Sequence, residues 1–217
     1  MLPIHAPARR CFLTPIPQLS TAADLLASAA DHLLEGDAPN ARQLVAEADM
    51  PVIGAYTALV TGAVNPLVHW QSAMPAGAVG LERSAQRMPS SSVERAIYVR
   101  DGWRCRYCGT RVIDRSMRAR LHRCLSDVAR WGARNADKHT ALAALSASLD
   151  HIVPHSRGGT NDEPNLVTAC NACQFGRGQW TLDEVGFWDP REYPPVLDEW
   201  DGLTRLGRLA DAFNIPQ

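Results

Sequence analysis

Apolar residues recur at helical spacing in the first third of the chain and as short strand-like runs near residue 150. Ser20 or Thr21 can cap a helix in which Leu25, Leu26, Ala29, Leu33 and Leu34 share one face, and Gly36 ends it. Leu44, Val45 and Ala48 group in the same way over residues 40–49, so the two segments read as an αα-hairpin, with a further helix over 51–70. The hairpin has no second copy, which makes it a bundle element packed on the rest rather than a solenoid repeat. Residues 71–90 carry Pro75, Gly77, Gly80 and Pro89 and read as a linker. The capping-box pattern Ser91, Ser92, Val93, Glu94 starts a helix that ends near Gly102. A short strand is predicted at 111–113. Met117, Leu121, Leu125 and Val128 then predict a helix over 114–131, and an Ala-rich one follows over 136–147. Residues 150–154 and 165–168 read as two strands joined by a loop that turns at Gly158-Gly159, and polar residues from Asn171 suggest a short helix. Thr181 and Glu184 form another capping box.

The chain has 217 residues, 46% of them hydrophobic, enough for one ordinary domain or a small domain with a helical extension. Residues 1–17 contain Arg9, Arg10 and several prolines but no apolar core of a signal peptide. The longest apolar run, 51–64, is too short to cross a bilayer and is broken by Gly54, Thr57 and Gly62, so no membrane association is expected. The net charge is −1, but between Arg83 and Arg134 there are 13 Arg and four acids, a local balance of +9. A charge run of this kind is usually a solvated face. Here, beside a Cys pair, it is expected to face the phosphates of a nucleic acid.

The chemistry-bearing residues gather in 149–178 and just upstream. Cys105 and Cys108 form one Cys-x-x-Cys pair, and Cys170 and Cys173 a second, after 61 intervening residues. Four thiolates suit a closed, tetrahedral structural Zn²⁺ site; a redox Cys-x-x-Cys or four unrelated buried cysteines are the other readings of the same spacing. Reduced-thiol metal chemistry points to a cytoplasmic location. Between the pairs stand Asp150, His151 and Asn165. An imidazole that titrates near working pH is a candidate general base, and a carboxylate suits a hard divalent cation. On a strand, adjacent residues point to opposite faces, so Asp150 and His151 serve one site only if the strand is distorted or metal and water lie on different sides. His155 and Arg157 occupy the loop.

The runs DHIVPHSRGG, NLV and CNACQFGRG, in that order, resemble the HNH (His-Asn-His) endonucleases, in particular stand-alone bacterial members with a four-cysteine zinc site. The resemblance extends from Arg95 to about Leu206. It implies an α+β fold: a ββα-metal (His-Me finger) core with two zinc knuckles and an N-terminal helical region. The corresponding division is a helical region over 1–70, a linker over 71–90, a nuclease domain over 91–206 with a helical insert at 114–148, and a tail over 207–217. It implies metal-dependent hydrolysis of DNA, with His151 as general base, Asn165 holding the loop that orients it, and Mg²⁺ or Mn²⁺ on Asp150 and residue 174. Arg177 stands where the family usually has Lys, and with Arg157 it is expected at a phosphate. Arg118 and Arg123 of the insert are expected along the backbone. The departure is Gln174, where the family has His or Asn; its longer arm predicts a looser cation site that tolerates Mn²⁺ better than Mg²⁺. The competing expectation is a non-enzymatic zinc module that binds nucleic acid, its site decayed at Gln174. His122, His139, Cys11 and Cys124 lie outside the motif and are read as structural or surface residues.

Overall fold

The computed structural model describes residues 10–61 and 87–209. Most of the predicted linker, the end of the helix predicted over 51–70, and the extreme termini lie outside them. Helix α1 (Pro17–Leu34) opens on Pro17, whose missing N–H is harmless in a first turn, so it starts earlier than the Ser20 or Thr21 cap expected. It buries Leu19, Ala22, Ala23, Leu26, Ala29, Ala30 and Leu33, and packs along α2 (Ala38–Ala48), which Asp37 caps by accepting from the Asn40 N–H. Helix α3 (Pro51–Thr61) completes the N-terminal layer. After Ser90, whose hydroxyl caps it, α4 (Ser91–Arg100) leads into the first Cys pair.

The segment expected to be one helix over 114–131 is shorter: α5 (Arg115–Cys124), capped by Asp114, gives way to a turn at Ser126 and Asp127. Turning there lets Leu125 and Ala129 bury together, lets Asp127 reach Arg42 on α2, and brings Trp131 under Arg118. The Ala-rich helix is likewise cut to α6 (Thr140–Ala144). Its predicted last turn is instead extended, because the Ile113 N–H donates to Leu145 O and the Ala147 N–H to Ile113 O, at 2.7 and 2.9 Å. That parallel bridge uses the segment predicted as a strand at 111–113.

Two four-residue strands follow, β1 (Ser148–His151) and β2 (Leu166–Ala169). They pair antiparallel with Ser148 opposite Ala169 and His151 opposite Leu166. Beyond β2, α7 (Asn171–Arg177) packs back on β1, and α8 (Leu182–Val185) carries the Thr181–Glu184 capping box. The far edge of β2 is covered: Thr168 N–H donates to the buried Asp101 carboxylate and Thr168 O accepts from Arg106 N–H. The architecture is α+β, mostly helical around one small sheet. Buried side chains from α1–α3 and from the sheet region form one continuous core. The C-terminal segment closes it, Trp200 donating its indole N–H to Val112 O. At Gly202 an added Cβ would stand 2.4 Å from the Trp103 ring, so glycine is required there.

His139 is wholly buried between these layers. Its Nδ1 accepts from Leu142 N–H at the start of α6, and its Nε2–H donates to Val45 O at 2.8 Å. Burial lowers its pKa, against the opposing pull of the Val45 hydrogen bond and Asp49. The unfolded chain therefore binds a proton that the folded chain refuses. Stability from this site is complete above the unfolded value near 6.5 and is lost as pH falls from there toward the lower folded value. Chemical denaturation should show the protein weakening between pH 7 and 5, and His139→Asn, which can still cap α6, should flatten that slope.

Candidate active site and metal centre

The four cysteines of the two Cys-x-x-Cys pairs converge. Cys105, Cys108, Cys170 and Cys173 lie with their sulfurs within 4.8 Å of one another, the Cys108 and Cys170 Sγ atoms 3.6 Å apart, and none is in a disulfide. Local backbone shapes each half. In the first pair, Gly109 takes φ of +78° and returns its N–H to Cys105 O, while Cys105 N–H donates to Thr110 O. In the second pair, Cys170 precedes α7 and Cys173 sits in its first turn, with Gln174 N–H on Cys170 O. Sulfur–sulfur spacing of this order, an all-thiol donor set and burial of three of the four cysteines, Cys108 being half-buried, fit a structural ion bound at about 2.3 Å per sulfur. The four cysteines could hold a metal such as zinc.

One turn away, β1 delivers Asp150 and His151 to different surroundings, as strand alternation dictates. Asp150 is gripped. Arg177 Nε and Nη2 donate to its two oxygens at 2.9 and 2.7 Å, and Tyr107 Oη, from the first Cys pair, donates at 2.9 Å. Arg177 is 1% exposed. Its remaining N–H groups go to His151 O, Ile152 O and Trp180 O. Burial opposes the Arg177 charge, but the Asp150 carboxylate holds its pKa above the ordinary value. Burial together with that same carboxylate pushes the Tyr107 hydroxyl well up, so it stays a donor.

His151 is buried at the end of β1, its Nε2 2.8 Å from Asn161 Oδ1 and its ring edge-on to His155 at 6.1 Å between centroids. The loop that presents these groups is held by Asn165. The Asn165 amide donates to Val153 O and Thr160 O, and its Oδ1 accepts from Val153 N–H. Gly158 adopts φ of +86°, and at Gly159 a Cβ would meet Val153 O at 1.7 Å. The pair of glycines is thus a steric demand of the loop. Asp150, His151, His155, Gln174 and Arg87 line a groove of about 590 Å³.

Other expected positions lie elsewhere than at a phosphate or cation. Gln174 is spent on β1, its Oε1 accepting from Ser148 Oγ and its Nε2 donating to Leu149 O. Asp150 is paired with the Arg177 guanidinium and Gln174 is bonded to β1, so both residues expected to hold a divalent cation have protein partners in this arrangement; among the described residues, the four cysteines form the one cluster of three or more His, Cys, Asp or Glu at ligand spacing. Arg177, expected at a phosphate, has every donor engaged inside the protein. Arg157 pairs with Glu184 at 2.7 Å. Arg118 stacks on Trp131 at 3.7 Å, one face of a second groove, and Arg123 is exposed on α5 away from both. Two site residues escaped the sequence reading, Tyr107 and Asn161. Tyr107 stands between the two cysteines of a knuckle, where only the cysteines signal chemistry, and Asn161 follows Gly158-Gly159 with no motif of its own to mark it.

Residues 136–174 match the family model of the HNH endonucleases. No curated protein and no solved structure gives a match to the chain. The matched stretch runs from the turn before α6 through both strands to Gln174, and so contains Asp150, His151, Asn165 and the second Cys pair. It points to nuclease or other nucleic-acid chemistry in general. Among the described residues no single helix is long and apolar enough to cross a membrane; α2 and α3 reach the required length only together, across a 52° bend.

If the thiol cluster holds the ion, the purified protein should contain about one zinc per chain, measured by elemental analysis, and Cys105→Ser or Cys170→Ser should unfold the region around the sheet. A well-folded, metal-free preparation would refute this. Arg177→Met should strand the buried Asp150 charge and cost roughly 3–5 kcal/mol in denaturant unfolding, whereas exposed Arg123→Met should cost little.

Proposed function

We propose that β1, β2 and α7 form the ββα core of an HNH endonuclease that hydrolyses DNA phosphodiester bonds, with His151 as the general base. The observation that carries this reading is the hydrogen bonding of the His151 ring. Nε2 lies 2.8 Å from Asn161 Oδ1, an oxygen that can only accept, which leaves Nδ1 as the ring nitrogen available for a proton; no hydrogen bond to Nδ1 is found among the described residues. A nitrogen so disposed beside an open groove can take a proton from water as the water attacks phosphorus. Asn161 fixes the tautomer, and Arg177, through its bond to His151 O, fixes the backbone from which the ring projects. Asn165 acts one step further out by holding the loop that carries Asn161. Zinc on the four cysteines would be structural, since its coordination would be closed.

Asp150 and Gln174, the pair expected to hold Mg²⁺ or Mn²⁺, are both engaged by protein groups in this arrangement. Asp150 serves as the counter-ion that locks Arg177, and Gln174 as the join between α7 and β1. The same observation favours a second reading, a zinc module that binds nucleic acid without cutting it, because the carboxylate and amide that would carry a cation are both occupied.

Plasmid DNA incubated with the protein, with and without Mg²⁺ or Mn²⁺, separates the two. A nuclease should nick or linearise the plasmid, and His151→Ala should lower the rate by about a hundredfold or more with DNA affinity nearly unchanged. Binding without cleavage under every ion condition would establish the second reading. Equal cleavage by the mutant would remove His151 from the mechanism. Gln174→Ala should slow cleavage equally with either cation; a selective loss of Mg²⁺ activity would return Gln174 to a ligand role.

A further inference from the structure

A second groove, of about 690 Å³, adjoins the one beside His151 and shares Met88, Gln174 and Phe175 with it. Its charge is unbalanced. Arg115, Arg118 and Lys138 line it, and none of the described residues lining it is acidic. Arg115 is partly neutralised by Glu94 at 2.8 Å. Arg118 and Lys138 form no ion pair among the described residues. Arg118 spends one nitrogen on Ser146 Oγ and leaves a buried Nε without a hydrogen-bond partner, and Asn171 Oδ1 in the same wall is also buried and unpartnered. Burial and the neighbouring Arg115 both work against the Arg118 charge. Trp131 lies beneath both cations, 3.7 Å from the Arg118 guanidinium and 5.2 Å from Lys138 Nζ, and so holds their heads in place. Two positioned cations with spare donors, and no acid opposite them among the described residues, are a site arranged for an anion.

The apolar lining says what carries that anion. Phe175, 50% exposed, stands on the shared wall between the two grooves. The volume falls within the roughly 300–1,000 Å³ of pockets that enclose a molecule of nucleotide size. A ring at the lip of such a pocket can stack a base only if the base has a free face, which a paired base inside a duplex does not offer.

We infer that this second groove binds an unpaired nucleotide next to the scissile bond, its phosphate on Arg118 and Lys138 and its base on Phe175. The preferred substrate would then be single-stranded DNA or DNA with a frayed or flapped end, rather than uninterrupted duplex. The inference rests on the nuclease reading for the identity of the neighbouring site, but not on cleavage for its test.

Fluorescence anisotropy of a labelled 12-nucleotide single strand, and of the same sequence as duplex, is measured against the full-length protein carrying His151→Ala. The single strand should bind more tightly than the duplex. Arg118→Gln and Lys138→Gln should each weaken its binding about five- to tenfold and lower the salt slope by about 0.7, the increment for one phosphate contact on a single strand. Phe175→Ala should weaken it by about fivefold or more. Arg123→Gln, outside the groove, should change nothing. Lys138 is half-buried on a bend, and among the described residues its side chain has one hydrogen bond, to Asn135 Oδ1, so its variant reports even where loss of the Arg118 stack disturbs folding; Arg118→Lys should restore part of the affinity. Parental affinity in the Lys138 and Phe175 variants, or tighter binding of duplex than of single strand, would overturn the inference. If the parent protein binds the single strand as described but never cuts DNA, the nuclease reading fails and the groove stands.

Discussion

The buried Asp150–Arg177 pair is the interaction on which the site depends. Taking a carboxylate and a guanidinium out of water is costly, and such a pair is tolerable only when the remaining hydrogen-bonding capacity is filled. Here all five N–H groups of Arg177 are engaged: two by Asp150 and three by the carbonyls of His151, Ile152 and Trp180. Tyr107 adds a third donor to Asp150. The first Cys pair, strand β1, helix α7 and the chain beyond α7 are thereby tied at one point. His151 inherits its position from that knot, since its own carbonyl is one of the acceptors.

Such a knot is needed because the sheet is too small to support itself. Two paired strands of four residues are marginal in water without something packed on them. Two ties flank them here: the four cysteines, which would join the first Cys pair to the start of α7 through a bound ion, and Arg177, which joins the end of α7 to the end of β1. Between them Gln174 bonds Ser148 and Leu149. All three use the short α7, so one side of β1 is fixed at successive points while the loop on its other side rests on Asn165 and the glycine pair. A rigid strand and a shaped loop are what a base needs if its nitrogen is to stay beside a groove.

Much of this was legible in the sequence, and the part that was not has physical reasons. The strand–loop–strand–helix order followed from the short apolar runs, Gly158-Gly159 and the polar stretch after Asn171, although the first strand lies at Ser148–His151 and leaves Ile152 and Val153 to the loop; the paired cysteines announced their convergence. The centre of the buried face of α1, Leu26, Ala29 and Leu33, followed from its period, while Leu25 and Leu34 lie half-buried at its margin. Helix ends were less readable, because local propensity competes there with long-range bonds: Ile113 claims the residues after α6, and burial of Leu125 with Ala129 cuts α5 short. Least readable was the fate of Asp150 and Arg177. They lie 27 positions apart, and a charge in a motif looks the same whether it awaits a metal or a guanidinium.

The charge distribution carries the same lesson furthest. The +9 balance between Arg83 and Arg134 looks like a surface for phosphates. Yet Arg100 donates to Asp101 and Leu166 O, Arg104 to Asp198, Arg106 to Pro190 O and Tyr193 O, Arg111 to Ser20 O beside Asp24, and Arg130 to Asp49. Three of the partner acids, Asp24, Asp49 and Asp198, come from the flanking segments, whose sequences carry the compensating negative excess. Segregation of charge along the chain is thus largely cancelled in space: these arginines bind the middle of the protein to its two ends. Beside the candidate site, what survives the cancellation is local: Arg118, stacked on Trp131 with Lys138, faces no acid among the described residues that line its groove. Net charge per segment measures how many ions must be placed, and only the fold says which of them are left over for a ligand.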